Sequence, residues 1–571
     1  MMNAQRGRPA PPDAARPRVA QLRAAWRLIS AYWRSGERWQ ARGLLTLIIS
    51  LDFLLVYRAV VITYWQKDFY DTLAAHDLAA FWRLLGQLAL LALAGVVVDT
   101  GRAYAVQALE MRWRSWLTGT FLERWLGQDA HWRIALAGAM ENVDQRIAED
   151  LKWLASNVLN LFLKLLKNTA NLVSFSVIVW ELSGVITVSL AGHEVQIAGY
   201  MLWAALLYAL LGSVAMEWLG RRMVAIDYRQ QQSEADFRFL LVRVREHAEQ
   251  IALLGGAQAE RVGLRHRFDA IRSNWRHIMT YTKRITLADR SYTEIGALVP
   301  YLLCGPRFFA GAISLGGLIQ LVQAFMRVRT AFSWFIYEYK ELALLRSVCR
   351  RLVELDSALD AGGAPGSLRR RHRRRPGLRV RALRVRSPDG TALAGPLSWT
   401  LLPGQRWLLT GASGAGKSTL LRALAGLWPH ASGVIAGPSR GRMLFLPQQS
   451  YLPQGSLRQC LSYPASDQDV PDDVCRHALR AVGLGALEPD LLCERDWSQR
   501  LSPGERQKLA FARVLIQRPD YVFLDEATSA LDAASEAALY ALLLTHCSAS
   551  AIVSVAHREG LQRYHTHSLA L

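Results

Sequence analysis

Gly411-Ala412-Ser413-Gly414-Ala415-Gly416-Lys417-Ser418-Thr419 follows the apolar run Trp407-Leu408-Leu409 and leads into Thr419-Leu420-Leu421-Arg422-Ala423-Leu424. The spacing G-x-x-x-x-G-K-[ST], set between a strand pattern and a helix pattern, is that of a phosphate-binding loop. Its glycines let successive backbone N–H groups turn toward a phosphate chain, and the helix that follows adds the positive end of its dipole. In such a loop Lys417 reaches the terminal phosphates and Ser418 is a ligand for Mg²⁺. The reading for this part of the chain is an α/β nucleotide-binding domain.

The sequence around the loop supports that reading. Short β-type stretches, Arg406–Leu409, Met443–Leu446, Tyr521–Leu524 and Ala551–Val555, alternate with helical patterns, as in a largely parallel sheet. Tyr521-Val522-Phe523-Leu524-Asp525-Glu526 is an apolar strand ending in two carboxylates. Such a strand beside a phosphate loop delivers Asp525 to the Mg²⁺ shell and leaves Glu526 to polarise the attacking water.

Upstream the character changes. The chain has 571 residues, 51% of them hydrophobic, and a formal net charge of +21. A soluble nucleic-acid binder is one source of such charge. Here the apolar residues gather in long runs before residue 345 and the arginines gather between them, the pattern of basic cytosolic loops flanking membrane spans. Nucleic acid is therefore not an expected partner; the lipid bilayer is. Six spans of roughly 20 residues are expected, at about 43–65, 84–107, 158–180, 195–219, 285–303 and 315–337. The arginine-rich segments 108–157 and 220–284 read as cytosolic helical extensions, and the short segments 66–83, 181–194 and 304–314 as outward-facing. Both termini are then cytoplasmic. Of the charges in or beside the spans (Asp52, Arg58, Asp99, Glu217, Glu294 and Glu338), Asp52, Arg58 and Glu294 are candidates for lining a pathway.

The expected organisation is a disordered segment 1–17, an amphipathic interfacial helix 18–42, a transmembrane domain 43–356, a basic linker 357–376 and a nucleotide-binding domain 377–571. The six cysteines form no CxxC pair and read as free thiols, neither a disulfide framework nor a metal site.

Several motifs in one order carry a family resemblance. They are Gly411–Thr419, Leu446-Pro447-Gln448, Leu501-Ser502-Pro503-Gly504-Glu505, Asp525-Glu526, Ser529-Ala530-Leu531-Asp532 and Ser554-Val555-Ala556-His557-Arg558. Together they resemble the ATP-binding-cassette family. The resemblance implies that ATP is sandwiched between two cassettes, so that a second copy of the chain completes the site. It further implies that Gln448 contacts Mg²⁺ and the attacking water, and that Ser502 and Gly504 meet the γ-phosphate held by the partner cassette. Asp532 communicates across the dimer, and His557 steadies the γ-phosphate and Glu526.

Two departures stand out. Pro503 and Glu505 replace the usual Gly and Gln, yet Ser502-Pro503-Gly504-Glu505 is a favourable helix start with a capping box. The region Arg384–Asp389, where the family places an adenine-stacking aromatic, holds none.

In the membrane half, Glu141-Asn142-Val143-Asp144-Gln145-Arg146-Ile147 with Glu149-Asp150 resembles a motif of the peroxisomal fatty-acyl (ALD-type) transporters. Arg245–Leu253, which includes Glu246 and Glu249, resembles their cytosolic coupling segment. Phe308–Gly311, Gln320, Ala324-Phe325, Ser333-Trp334, Trp65-Gln66 and Phe69-Tyr70-Asp71 are similar to the bacterial BacA/SbmA-type membrane domain.

The fold class implied is an α-helical six-span membrane domain (ABC exporter-like fold) fused to an α/β P-loop nucleotide-binding domain. The function implied is an ATP- and Mg²⁺-dependent half-transporter, a homodimer in a bacterial inner membrane. The solute is left open. Uptake of a bulky hydrophilic solute such as a cobalamin or a peptide, export or flipping of an amphipathic lipid or acyl compound, and a membrane-tethered regulatory ATPase that moves no solute all fit the motifs.

Overall fold

The structure is a computed structural model. It describes residues 18–571 except 139, 141, 191–192, 335–337, 362–367, 373–376, 413, 439–441, 467–468 and 557. Ser413, His557 and the segment 1–17 therefore lie outside the described residues. The chain forms two compact units: one of residues 1–124 and 141–357, the other of 125–140 and 358–571.

The first unit is helical. Its helices are α1 (Arg18–Tyr32), α2 (Arg38–Ala74) and α3 (Leu78–Leu126). The short α4 (Ala130–Ala137) belongs to the second unit. The first unit continues with α5 (Val143–Ser183), α6 (Tyr200–Glu246), α7 (Ala248–Leu253), α8 (Ala257–Phe309), α9 (Leu315–Phe332) and α10 (Tyr339–Ala361). Helices α2, α3, α5 and α6 are long and apolar enough to cross a membrane. The positions expected for the fifth and sixth spans fall in α8 and α9, whose Arg, Glu and Gln residues make them less apolar.

Three sequence expectations are corrected. The amphipathic segment 18–42 is two helices. Ser35 breaks it, its hydroxyl donating to Tyr32 O at 2.7 Å and accepting from Glu37 N, a local bonding pattern that competes with helix. The fourth span starts at Tyr200, since Val185–Leu190 (β1) and His193–Ala198 (β2) pair as an antiparallel hairpin. Asp52 and Arg58 tie α2 to α3 instead of lining an open path. Asp52 is buried and pairs with Arg102 at 2.6 Å, and Arg58 Nε donates to Leu91 O at 2.7 Å.

α9 is the centre of this unit, packing against α2, α5, α6 and α8. Ser314 caps its N-terminus, accepting from Gly317 N. Asp71 on α2 adds a second cap: Gly316 N donates to its Oδ1 at 2.8 Å and Ser314 Oγ to its Oδ2 at 3.0 Å. The approach is so close that a Cβ on Gly316 would lie 2.8 Å from Asp71 Cγ and inside contact distance of the Lys67 carbonyl. Gly316→Val is expected to push the two helices apart at a cost of about 1–3 kcal/mol. A lowered melting temperature of the purified full-length protein is the readout, with Gly86→Val on α3, which has open space around it and an ordinary helical backbone, as the control.

The second unit holds two large sheets and a two-stranded antiparallel pair, β9 (Gly455–Ser456) with β10 (Glu494–Arg495). Strands β6 (Arg406–Thr410), β8 (Met443–Leu446), β11 (Tyr521–Asp525), β12 (Ala551–Val555) and β13 (His567–Ala570) form an all-parallel sheet in the order β13-β6-β12-β11-β8. The apolar runs seen in the sequence are its buried strands, β11 and β12 being buried almost throughout. The second sheet has the order β3-β7-β4-β5, from Leu368–His372, Ala431–Gly437, Leu378–Arg386 and Ala392–Leu401. The segment expected as a basic linker is thus partly structured: α10 runs to Ala361, and β3 is an edge strand in parallel register with β7. Charged residues on such an edge also block unwanted strand pairing.

α4 is part of this unit. Trp132 Nε1 donates to Leu427 O at 2.9 Å, Arg422 lies over the Trp132 ring at 5.9 Å, and Leu136 packs on the sheet core. Part of the arginine-rich segment 108–157 thus sits on the helix that follows the phosphate loop.

Candidate nucleotide site and coupling clamp

Parallel strands place their carboxyl ends along one edge, where α/β sheets bind ligands. Here β6 ends at Thr410 and passes into the glycine loop, β8 leads to Gln448, β11 ends in Asp525 followed by Glu526, and β12 ends at Val555 two residues before His557. Residues from three separate sequence motifs, and the end of β12, are therefore delivered to one edge by strand direction alone.

The loop has the backbone its glycines were expected to permit. Gly411, Gly414 and Gly416 have φ of +148°, +84° and +88°, and a Cβ on Gly416 would meet Leu393 at 3.0 Å. Helix α11 (Lys417–Ala425) starts directly from the loop. Lys417 Nζ donates to the Gly411 and Ala412 carbonyls at 2.8 and 2.9 Å, which holds the ammonium inside the loop. Ser418 Oγ donates to Asp525 Oδ1 at 2.8 Å. Burial pushes the Asp525 carboxyl above its ordinary range, with the neighbouring Glu526 acting in the same direction. A hydroxyl and a desolvated carboxylate side by side form a hard oxygen pair that fits Mg²⁺, whose charge would offset that penalty.

Glu526 is held in a left-handed conformation, φ +49°, with its N–H donating to Val555 O at 3.1 Å. Gln448 Nε2 donates to Glu526 Oε2 at 3.1 Å. The fixed backbone and this one bond aim the carboxylate at the edge where the loop lies.

The signature segment forms the expected capping box. Ser502 accepts from Glu505 N, the Glu505 carboxylate accepts from Ser502 N at 2.9 Å, and Pro503 occupies the first turn of α15 (Pro503–Gln517; α12–α14 are Leu457–Ser462, Asp472–Ala481 and Trp497–Arg500). Pro503 thus costs no helical hydrogen bond. Gly504 packs on Leu531 and Ala530, so the signature lies against Ser529–Asp532. Asp532 caps α16 (Ala533–His546), accepting from Ser535 N at 2.7 Å, and these bonds hold its carboxyl below the usual range.

Sequence reasoning missed the residues that join these segments. Buried Gln507 donates to Ser529 Oγ at 3.1 Å and accepts from Ala530 N at 3.0 Å. Arg558 donates to Leu531 O at 2.9 Å and reaches Glu536 at 3.4 Å. For Gln507 the available signal was a polar side chain at a buried helical position, which asks for a partner.

In the first unit, Arg146 Nη1 donates to Arg351 O at 2.6 Å and to Glu354 Oε2 at 3.2 Å. Asp150 accepts from Arg351 Nε at 2.7 Å and Nη2 at 2.5 Å, a bidentate pair. Both acceptor and donor on α5 lie in a single π-helical turn, Arg146–Asp150, of the kind that collects at functional positions. The motif therefore clamps the N-terminal end of α5 to α10, the helix just before the nucleotide-binding unit. Gln145 donates to Glu149 at 3.0 Å, while Asp144, Glu246 and Glu249 are exposed. Arg351 and Glu354 were not among the sequence candidates.

These features define a membrane helix bundle joined to a phosphate-loop ATPase. Residues 28–309 match the family described as ABC transporter transmembrane region 2, and residues 394–529 match the family described as ABC transporter. An inner membrane ABC transporter ATP-binding protein, YddA of Escherichia coli, is 31% identical over 94% of this chain and 94% of its own length. The chloroplastic ABC transporter D family member 2 of Arabidopsis thaliana is 29% identical, covering 98% and 88%. The human lysosomal cobalamin transporter ABCD4 is 25% identical, covering 99% and 97%. In fold, the chain matches an ATP-bound bacterial Atm1-family ABC exporter with a TM-score of 0.71 at 17% identity, over 94% of each chain.

The chain belongs to the ABC transporter family, as a fused membrane and ATP-binding protein of the ALD-type group. It is a multi-pass membrane ATPase whose ATP hydrolysis is coupled to transport.

Proposed function

We propose that this chain works as a homodimeric half-transporter in a bacterial inner membrane, with both termini cytoplasmic, and that it takes up a bulky hydrophilic solute. The observation that supports a hydrophilic cargo is α9. Within this otherwise enclosed helix the exposed residues are Gln323, Arg327 and Thr330, a polar face that suits water or a polar solute. A lipid cargo would ask for an apolar open face there. The similarity to a lysosomal cobalamin transporter over nearly the whole chain points the same way.

In this reading the loop Gly411–Thr419 and Lys417 hold the phosphates, and Ser418, Asp525 and Gln448 hold Mg²⁺, which neutralises phosphate charge when bound. Glu526 polarises the attacking water, Gln448 orients Glu526, and His557 steadies the γ-phosphate. Ser502 and Gly504 act on the nucleotide of the second copy. Closure of the paired cassettes moves α4 and the Arg146–Asp150 clamp, and through them the spans.

The test is solute accumulation in proteoliposomes, comparing labelled cobalamin with a labelled proline-rich peptide. ATP-dependent accumulation of either names the cargo class. Movement of a labelled phospholipid between leaflets, with neither solute accumulated, would replace uptake by lipid flipping.

A further inference from the structure

We propose that the membrane unit selects solutes carrying anionic groups, carboxylate or phosphate, and that Arg327 and Lys167 are the cations that hold them. This rests on the uptake reading above and adds the charge of the cargo.

Gln323, Arg327 and Thr330 are spaced four and three residues apart, so they form one stripe along α9. Arg327 lies about 18 Å along the helix from its start at 1.5 Å per residue, deep within a membrane-spanning length. The neighbouring helix is α5, antiparallel to α9. Lys164 pairs with Glu338 at 2.8 Å, Asn168 donates to Ala331 O at 2.7 Å, and Arg327 stacks over Phe175 at 4.8 Å. Lys167 is half-buried and directly precedes Asn168 on α5.

The charge balance separates the cations. Lys164 is matched by Glu338. Arg329 is buried, donates to Thr293 O at 3.2 Å and stacks on Tyr292. Lys167 and Arg327 have no carboxylate within 4 Å among the described residues. An ionised side chain at such depth is costly unless it faces a wet cavity or a partner.

Lipid is not what this stripe meets. α5 carries a separate exposed row, Val173, Val177 and Trp180, suited to hydrocarbon, whereas α9 exposes no large apolar residue. Between lipid and a polar solute, the stripe fits the solute, and the two cations without a carboxylate partner among the described residues select its anionic groups. Gln323 and Thr330 supply neutral hydrogen bonding beside them. A polycationic cargo is disfavoured by like charge.

The test uses the full-length protein in phosphatidylcholine nanodiscs without ATP, so that binding is read independently of transport. The probes are hexaglutamate and hexalysine peptides bearing the same neutral dye. Hexaglutamate is expected to bind in preference to hexalysine, and the Arg327→Gln/Lys167→Gln double variant to weaken it at least tenfold. Arg327→Lys, which keeps the charge and checks folding, is expected to stay within about threefold of wild type.

Absence of hexaglutamate binding, equal or tighter binding of hexalysine, or unchanged binding by the double variant would overturn the proposal. Discs containing phosphatidylglycerol separate solute from lipid phosphate. Retained affinity there supports a solute site, and its loss would assign the stripe to headgroups. Failure of transport with this charge preference intact would instead overturn the uptake reading alone.

Discussion

Glu526→Gln is expected to bind ATP as the native protein does and to lower its turnover by about 10²–10⁴-fold, the range for loss of a positioned general base. The substitution is isosteric. The left-handed backbone at Glu526, its bond to Val555 O and the neighbouring Gln448 are all retained, so the nucleotide site keeps its shape. What is lost is the carboxylate that polarises water. Ser418, Asp525 and Lys417 are untouched, so phosphate and Mg²⁺ binding persist. Steady-state phosphate release, alongside retention of labelled ATP after rapid gel filtration, reads both halves of the expectation. Near-normal turnover would remove Glu526 from the base role.

The second large effect concerns the clamp. Asp150 is buried, with its side chain 5% exposed, while Arg351 is 37% exposed. The two ends of the pair are therefore unequal. Asp150→Asn leaves an arginine that water can reach, a modest loss. Arg351→Leu strands a buried carboxylate, and breaking a buried pair in that way costs about 3–5 kcal/mol. Arg351→Leu is expected to lower the melting temperature of the intact protein far more than Asp150→Asn does. Adding Asp150→Leu in the same chain is expected to restore much of it. If the clamp couples the spans to the cassette, Asp150→Asn reduces solute moved per ATP hydrolysed while hydrolysis itself continues. A proportional fall in both would reduce the clamp to a structural tie.

The nucleotide site was legible because its parts are local motifs. A strand, a glycine loop and a helix are adjacent in sequence, and parallel strands ending in Thr410, Leu446, Asp525 and Val555 can share only one edge. Even the unusual Pro503 could be read, since helix capping depends on four consecutive residues. What escaped depends on distant partners. Arg351 looks like any helical arginine until Asp150, some 200 residues away in sequence, is placed against it. Gln507 and Arg558 were hidden for the same reason.

The hairpin Val185–Ala198 escaped because most of it fell in the short segment 181–194 read as outward-facing, while its last residues adjoin an apolar helix and read as the start of a span. The strand Leu368–His372 escaped because four consecutive basic residues suggest solvent, yet an edge strand exposes most of its side chains. Asp52 was correctly marked as an unusual intramembrane charge, but only the packing of α2 on α3 shows that Arg102 neutralises it.

The most direct measurement of the account is solute accumulation inside proteoliposomes supplied with external ATP, wild type beside Glu526→Gln. ATP-dependent accumulation by the wild type, with none by the variant, is the predicted result. Robust ATP hydrolysis by the wild type without movement of any solute or lipid probe would contradict the claim that this cassette drives uptake.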